Sequence, residues 1–317
     1  MAQTIFITGA TGAVGPSVVH ALYQTGARIR TFSFDVPSPG LFPSRVEIVI
    51  GDVTSQTAVK SAMENADVVV HLAARNHVLK ETAKDPLAEY RKVNVEGTRN
   101  VIQSAADSGV KLFIHLSSVK AMGEESESIL DEESKCVPKT PYGISKLESE
   151  DVVRAEVNQS GMRAVILRLP IVYGPRIKGN LLRMIRWAER GLPFPLLQPD
   201  NLRSMIYVEN VVAGILATQE KSHRGVSTYL LKDREDCSTR HLYSAICREL
   251  GKKPRFLRVP TAITKLGGIF SVDFRKVTGS FRVSSEKIER EIGFIPPGSF
   301  DEGISSTVRW YMTSGYK

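Results

Sequence analysis

Two hydrophobic patterns alternate along the N-terminal half of the chain. Short runs rich in β-branched and apolar residues predict strands at Thr4–Thr8, Arg28–Phe34, Val46–Ile50, Asp67–His71, Lys111–Leu116 and Arg163–Leu169. Longer amphipathic stretches between them predict helices beginning near Pro16 and covering Thr54–Asn65, Pro86–Ser108 and Tyr142–Gln159. This alternation favours right-handed βαβ units, and therefore an α/β fold with a doubly wound parallel sheet of the Rossmann type. Val68–Val70 and Val165–Leu167 are apolar throughout, as strands covered on both faces require.

The pattern changes after Tyr173-Gly174-Pro175, where proline becomes frequent and the elements become mixed. We therefore expect a main domain over 1–173 and a smaller α+β region over 174–317, with 203–232 returning to the main sheet. The stretch Glu124–Glu133 holds six acidic residues in ten and predicts a solvated loop.

The composition is that of a globular chain. Of 317 residues, 42% are hydrophobic and 24% are charged, values that exclude a disordered or fibrous protein. No run of 18 apolar residues occurs, so we expect no membrane insertion, and the first 13 residues lack Lys and Arg, so we expect no signal peptide. The three cysteines form no CxxC pair, which predicts neither a disulfide framework nor a metal site and favours a cytoplasmic location.

Positive charge is concentrated in the second half of the chain. The formal net charge is +8, of which residues 1–173 carry −2 and residues 174–317 carry +10. A basic surface attracts anionic ligands of any kind. No predicted helix combines a dense basic face with interleaved aromatic residues, so we expect no nucleic-acid partner.

A glycine-rich turn follows the first predicted strand. Gly9, Gly12 and Gly15 have the spacing GxxGxxG between that strand and a helix. Glycines at such positions permit a sharp turn, close approach of a pyrophosphate and close packing of the helix on the strand, while the helix N-terminus offers free N–H groups. The turn predicts a dinucleotide site, which makes 1–173 an NAD(P)-binding domain. The intervening residues that we place in this site are Thr11, Ala13 and Val14.

The end of the second predicted strand should select the cofactor. A carboxylate there binds the ribose of NAD, whereas a basic residue accommodates the extra phosphate of NADP. Ser33 occupies the usual acidic position, and Asp35 lies two residues later. Because the glycine turn contains no Arg, we expect NAD bound through Asp35, with NADP left open. Asp52, after the third strand, suits the adenine amino group.

Tyr142 and Lys146 stand four residues apart at the start of a predicted helix, and so share one of its faces. A free tyrosine, with a pKa near 10, is a poor base, but a nearby ammonium and a nicotinamide cation favour the phenolate. The strand before this helix ends in Ser117-Ser118, where a hydroxyl can hold the reacting oxygen. Tyr142, Lys146 and Ser118 are therefore the predicted catalytic residues.

The chain resembles the extended short-chain dehydrogenase/reductase family, in its branch of nucleotide-sugar epimerases and dehydratases. The motifs that carry this resemblance are Gly9/Gly12/Gly15, His71-Leu72-Ala73-Ala74, Val93-Asn94-Val95-Glu96-Gly97-Thr98, Ser117-Ser118, Tyr142…Lys146, Arg168-Leu169-Pro170-Ile171-Val172-Tyr173-Gly174-Pro175 and Arg203-Ser204-Met205-Ile206-Tyr207-Val208.

The resemblance implies further site residues. Asn94 would support the helix of Tyr142 and Lys146, and Lys146 would also bind the nicotinamide ribose. Asn180 and Arg203 would contact the diphosphate of a UDP-sugar substrate, with Arg275 as a weaker second candidate. The other residues implied to line the cofactor are Val53, Leu72, Ala73, Ala74 and Ser117. Family members commonly dimerise through two helices, which predicts a homodimer through Pro86–Ser108 and Tyr142–Gln159.

Several activities are open on this pattern. Dehydratases of this branch carry an Asp-Glu pair where this chain has Val119-Lys120, which disfavours water elimination and leaves Lys120 without a role. The expected activity is NAD-dependent epimerisation of a UDP-sugar at C4 through a 4-keto intermediate, of the kind found in bacterial surface-polysaccharide pathways. The alternatives are reduction of a UDP-4-keto-6-deoxy sugar, which uses the same residues, and a non-enzymatic dinucleotide-sensing regulator.

Overall fold

The structure is a computed structural model that describes residues 2–76, 82–196, 201–220, 225–258 and 279–314. Its strands are β1 (Thr4–Thr8), β2 (Arg28–Ser33), β3 (Glu47–Ile50), β4 (Val68–His71), β5 (Leu112–Ser118), β6 (Ile129–Leu130), β7 (Arg163–Leu169), β8 (Ile171–Tyr173), β9 (Phe194–Leu196), β10 (Met205–Tyr207), β11 (Val226–Leu230), β12 (Phe256–Arg258) and β13 (Arg282–Val283). Its α-helices are α1 (Gly15–Gln24), α2 (Gln56–Ala62), α3 (Pro86–Arg91), α4 (Gly97–Asp107), α5 (Pro141–Ser160), α6 (Asn180–Glu189), α7 (Val208–Glu220), α8 (Thr239–Glu249), α9 (Glu286–Ile292) and α10 (Phe300–Thr313).

Seven strands form one parallel sheet in the order β11-β7-β5-β4-β1-β2-β3. The predicted doubly wound parallel sheet is therefore confirmed. Apolar side chains of α1 and α7 pack on one face of the sheet, and those of α2, α4 and α5 pack on the other. Val68–Val70 and Val165–Leu167 are fully buried between these two layers, as their continuous apolar pattern predicts.

The chain leaves the main sheet after β7 and later returns to it. A separate apolar core joins α6, α8 and α10 with the short parallel pair β9 and β12. Between these elements, α7 packs beside α1, and β11 pairs with β7 at one edge of the main sheet. A buried hydrogen-bonded cluster links β8, α7 and the segment after β11. In it, Asp233 accepts hydrogen bonds from the Tyr173 hydroxyl at 2.7 Å and the Asn210 amide at 2.7 Å.

Two segments differ from their predicted form. The single helix expected over Pro86–Ser108 is divided by a π-helical turn at Lys92–Glu96. The acidic stretch Glu124–Glu133 is not simply a solvated loop, since β6 lies within it and two of its carboxylates accept backbone hydrogen bonds. Glu124 accepts from the backbone N–H of Thr140 at 3.1 Å, and Glu132 accepts from that of Leu230 at 2.7 Å. These two carboxylates are therefore the hydrogen-bond partners of backbone N–H groups.

Candidate active site

The predicted site residues of the main domain lie at the carboxyl ends of the parallel strands. In the sheet, β1 lies between β2 and β4, and the chain proceeds outward from it in both directions. The crevice outside such a switch point is where open α/β sheets bind their ligands. The glycine turn leaves β1 there, and Ser118 ends β5 two strands away.

The glycine turn is shaped by backbone contacts that exclude larger residues. Gly9 has a φ of +68°, and a Cβ there would lie 2.6 Å from the Ala73 backbone. A Cβ on Gly15 would lie 2.1 Å from the Ala10 carbonyl oxygen, so α1 can pack directly on the turn only with glycine at this position. Gly12 is exposed, and its added Cβ would meet only the Gly9 oxygen, at 3.2 Å.

The first turn of α1 has no side-chain cap among the residues that the structure describes. Its N-cap residue, Val14, provides no side-chain hydrogen bond, and its first turn contains no acidic residue. The backbone N–H groups and the positive end of the helix dipole therefore face the glycine turn. Thr11, Ala13 and Val14 occupy the turn as predicted from the spacing, beside exposed Gly12. These features fit a dinucleotide diphosphate, and they rest on this chain's own backbone geometry.

The ends of β2 and β3 contain the residues expected near the adenosine. Asp35 is exposed, two residues beyond the end of β2, whereas Ser33 is 3% exposed and its Oγ has no hydrogen-bond partner among the described residues. Asp52 accepts a hydrogen bond from the Thr54 N–H at 2.9 Å, and Val53 is buried against Gly97. A buried hydroxyl without a partner at the end of β2 is an additional donor that a ribose hydroxyl could use.

The segment after β4 is attached to the glycine-turn strand. The N–H of Leu72 donates to the Thr8 carbonyl at 3.2 Å, and that of Ala73 donates to the Thr8 hydroxyl at 3.3 Å. His71 bridges the same hydroxyl and Thr98, at 2.7 and 2.9 Å. Leu72, Ala73 and Ala74 therefore lie beside Gly9, where the resemblance implies cofactor contacts.

Asn94 lies in the π-helical turn and is buried. Its amide donates to the Ser145 hydroxyl at 2.9 Å, and its Oδ1 accepts from the Arg75 N–H at 2.7 Å. The Ser145 hydroxyl in turn donates to the Tyr142 carbonyl at 2.8 Å. Asn94 thus joins the segment after β4 to the first turn of α5, and an extra residue in a helical turn is a common way to direct such a side chain.

The start of α5 brings Tyr142 to Ser118. Thr140 caps the helix by accepting from the Gly143 N–H at 3.2 Å, and a Cβ on Gly143 would lie 2.4 Å from the Lys120 carbonyl oxygen. The helix therefore begins directly against the 3₁₀ turn that follows β5. In that turn the Lys120 N–H donates to the Ser118 Oγ at 3.2 Å, and the Ser118 side chain lies near enough to the Tyr142 phenol to lower its pKa.

Burial dominates the ionisation of Tyr142. The residue as a whole is partly exposed, but its phenol oxygen is enclosed by protein. Burial raises the pKa of Tyr142 to about 12, and the nearby Ser118 side chain opposes this rise. The sequence predicts a phenolate favoured by the ammonium of Lys146, but that ammonium binds other groups in the structure. The protein alone therefore keeps Tyr142 protonated near neutral pH.

Lys146 is 2% exposed and extends beneath β5. Its ammonium donates to the Leu116 carbonyl at 2.8 Å and lies 3.3 Å from His115 Nε2. Burial lowers the pKa of Lys146 to about 8, although the charge of Glu150 opposes this change. Lys146 thus lies one helical turn after Tyr142 on α5, and its pKa is closer to neutral pH than that of an ordinary lysine.

Ser117 belongs to a buried ionic cluster. Its hydroxyl donates to Glu150 at 2.5 Å, and Glu150 accepts hydrogen bonds at 2.7 to 3.2 Å from the Arg168 guanidinium and one at 3.0 Å from Arg154. Burial raises the pKa of the Glu150 carboxyl, but Arg168 and Ser117 outweigh it, so the pKa is lowered overall. The cluster ties α5 to β5 and β7, which fixes the helix that carries Tyr142.

The residues implied to bind substrate lie in the second region. Asn180 begins α6. Arg203 is buried, and its guanidinium donates twice to the Gly279 carbonyl, at 3.0 and 2.7 Å, while burial lowers its pKa to about 10. Arg275 lies outside the described residues. The contact of Arg203 with a carbonyl leaves its phosphate-binding role a prediction.

Four residues near the site were not predicted, namely His71, His115, Glu150 and Arg168. Their signal is visible in hindsight, because a histidine in the middle of an apolar strand needs a polar partner. Glu150 also stands four residues after Lys146, on the same side of α5.

Comparison with known proteins identifies the family. Residues 5–230 match the NAD dependent epimerase/dehydratase family, and a UDP-glucose 4-epimerase of Vibrio cholerae is 32% identical, covering 98% of this chain and 96% of its own. The chain belongs to the NAD-dependent epimerase/dehydratase family. It is an enzyme of that family, and its expected cofactor, NAD, is the one for which the family is named.

Solved structures of epimerases share the fold. The UDP-glucose 4-epimerase of Thermotoga maritima, solved with UDP-glucose, has a TM-score of 0.84 at 22% identity and covers 98% of this chain and 99% of its own. The UDP-glucose 4-epimerase of Thermus thermophilus, solved with NAD, has a TM-score of 0.80 at 23% identity and covers 98% of this chain and 100% of its own. At these identities the likeness establishes the architecture of the epimerase/dehydratase family.

Two further findings concern the ranges that the structure describes. None of their helices combines the length and apolar character needed to cross a bilayer. No group of His, Cys, Asp and Glu in them could hold a metal ion, and Cys136, Cys237 and Cys247 are free thiols.

Proposed function

We propose that this enzyme epimerises a UDP-sugar at C4 through a 4-keto intermediate, using NAD. The observation that carries the proposal is the placement of the Tyr142 phenol beside Ser118, at the start of the helix that also carries the buried Lys146, and at the sheet edge where the glycine turn lies. The Vibrio cholerae relative supports the substrate class, since it is named a UDP-glucose 4-epimerase. Val119 and Lys120, in place of an acidic pair after Ser118, favour epimerisation over dehydration.

The chain's own residues would bind the substrate and move one proton. Ser118 holds the C4 oxygen, because its Oγ accepts from the Lys120 N–H and keeps its own proton available to donate. Tyr142 takes the proton from the C4 hydroxyl and returns it at the end of the cycle. The Lys146 ammonium, which is bound to the Leu116 carbonyl and His115 in the structure, would favour the phenolate once it turns towards Tyr142. NAD, held by the glycine turn and the first turn of α1, would supply the hydride acceptor and donor for C4, and its positive ring would further favour the phenolate.

We assign the other predicted residues to binding of the cofactor and of the substrate diphosphate. Gly9, Gly12, Gly15 and the first turn of α1 bind the NAD diphosphate, and Asp35 with Ser33 binds its adenosine ribose. Asn180 and Arg203 bind the substrate diphosphate. For Arg203 this requires that its guanidinium keep one edge for the phosphate while it donates to Gly279, which its five donors permit.

A substrate panel tests the proposal. We expect the purified protein to convert UDP-glucose or its N-acetyl analogue into the C4 epimer, detected by proton NMR, with NAD retained from expression and none added. A C4 reductase would instead consume added NADH or NADPH stoichiometrically and act only on 4-keto sugars. Absence of any C4 exchange across the UDP-sugars would refute the epimerase assignment.

We further propose a homodimer formed through α4 and α5 in a cytoplasmic setting. The two helices pack side by side on one face of the sheet, and the exposed Arg91–Glu148 ion pair links α3 to α5 on the same surface. Sedimentation equilibrium is expected to give twice the chain mass of 35.0 kDa. A mass equal to one chain at micromolar concentration would contradict the dimer. The free cysteines suit a reducing compartment, and the cytoplasmic location stays a prediction.

A further inference from the structure

A buried histidine of β5 touches the proposed catalytic machinery from below. His115 is completely buried, and its Nε2 lies 3.3 Å from the Lys146 ammonium and 3.1 Å from the Ser149 Oγ. We infer that His115 is a positioning residue that keeps the Lys146 ammonium charged and oriented by accepting one of its hydrogen bonds. The inference rests on the proposed function for its catalytic meaning.

The donors and acceptors around His115 allow two arrangements. The Ser149 hydroxyl donates to the Lys146 carbonyl at 2.7 Å, so its contact with Nε2 is a hydrogen bond only if Nε2 carries the proton, whereas the Lys146 ammonium can donate to Nε2 only if Nε2 is unprotonated. The positioning role requires the second arrangement, in which the proton of the neutral imidazole is on Nδ1, a nitrogen without a hydrogen-bond partner among the described residues. In the first arrangement His115 is no acceptor for Lys146, and the titration of Lys146 would not change in His115→Phe.

The surroundings keep His115 neutral. Burial and the charge of Lys146 lower its pKa well below the ordinary value, and His71 and Arg154 lower it further. The charged and titratable groups around this pair are His71 on β4, Lys146, Glu150 and Arg154 on α5, and Arg168 on β7. Glu150 is ionised and bound by Arg168, Arg154 and Ser117, and its charge raises the pKa of Lys146 against the effect of burial.

The ring of His115 is held in place by a second histidine. His71 stacks on it with centroids 5.4 Å apart and an angle of 22° between the rings. His71 is itself fixed, because its two nitrogens bind Thr8 and Thr98. Thr8 is the last residue of β1, so the strand that leads into the glycine turn also supports the acceptor of Lys146. A rigid acceptor loses little entropy when it orients a lysine side chain.

Removal of the acceptor should change the ionisation of Lys146. A charged hydrogen bond favours the protonated form, so its loss from a buried amine lowers the pKa of that amine. In His115→Phe we expect the midpoint of Lys146 titration to fall by about one pH unit, a tenfold change in its ionisation constant. The alkaline limb of the activity profile should move to lower pH by the same amount, since Lys146 must be charged to favour the Tyr142 phenolate.

The test measures Lys146 directly, as well as through activity. The titration is followed by NMR of lysine side chains labelled with ¹³C and ¹⁵N in the cofactor-free protein, with Lys146→Met identifying the signal. His115→Gln restores an acceptor, and its midpoint should stay close to the wild-type value. His71→Phe is the matched control, because phenylalanine keeps an aromatic ring against His115 and leaves the acceptor of Lys146 in place, so the midpoint should change much less than in His115→Phe.

The outcomes separate the inference from the proposed function. An unchanged Lys146 midpoint in His115→Phe, or an equal fall in His71→Phe, would overturn the positioning role. His115→Leu, a second variant without an acceptor, gives the same comparison should the phenylalanine variant fail to fold. Because the NMR titration needs no substrate, a protein inactive on every UDP-sugar would refute the epimerase while the role of His115 is still measured.

Discussion

Replacement of Tyr142 by phenylalanine is expected to lower the rate of the proposed epimerisation by about a thousandfold, the contribution lost when a positioned acid/base is removed. Phenylalanine keeps the ring, whose centroid lies 6.0 Å from that of Tyr90, and removes only the hydroxyl that lies beside Ser118. The measurement is kcat with UDP-glucose, followed by a coupled assay.

The control for this variant is the cofactor content. Tyr142 contributes no backbone to the glycine turn, so NAD bound per chain, measured after acid release, should match that of the wild type. Lys146→Met is a useful companion, since it should lower kcat while leaving the Ser118–Tyr142 pair in place. A phenylalanine variant that turns over at the wild-type rate would remove Tyr142 from the mechanism.

Gly15→Ala is expected to destabilise the fold by about 3 kcal/mol, at the upper end of the cost of overpacking a close contact. The reason is geometric, because the new Cβ would lie 2.1 Å from the carbonyl oxygen and 2.4 Å from the carbonyl carbon of Ala10. Both atoms belong to the backbone, so relief requires α1 to move away from β1. The free energy of unfolding, measured by urea denaturation with the turn empty of cofactor, should show the loss.

Gly12→Ala provides the matched comparison in the same turn. Its Cβ would meet only the Gly9 oxygen, at 3.2 Å, on an exposed surface, so the free energy of unfolding should change by less than about 1 kcal/mol. NAD binding should nevertheless weaken, because the methyl group projects where the diphosphate approaches. Equal stability losses in the two variants would contradict the assignment of separate tasks to the two glycines.

The main sheet was predictable because its signals are local. Each strand of the first half is a short apolar run, and the glycine spacing between β1 and α1 needs no distant partner to be recognised. The pair Tyr142 and Lys146 is equally local, since their spacing alone places them on one face of a helix.

The features of the site that could not be predicted from the sequence depend on contacts between segments that are distant along the chain. In the π-helical turn, the Asn94 side chain hydrogen-bonds to Arg75 and Ser145, which lie 19 and 51 residues away in the sequence. The direction of the Lys146 ammonium is decided by a carbonyl and a histidine of β5, 30 and 31 residues earlier. Arg203 likewise donates to the carbonyl of Gly279, 76 residues later, and no sequence motif predicts this contact.

The pairing of β11 with β7 makes the two regions of this enzyme inseparable by truncation. A fragment ending at residue 173 would expose the flank of β7 and lose Val211, Ile215 and Tyr229 from the layer that covers the sheet. In such a fragment the edge of β7 that pairs with β11 would be unpaired, and an unpaired strand edge favours aggregation with other chains. Recombination between relatives should therefore exchange whole chains, whereas a swap at the apparent halfway point would break the sheet.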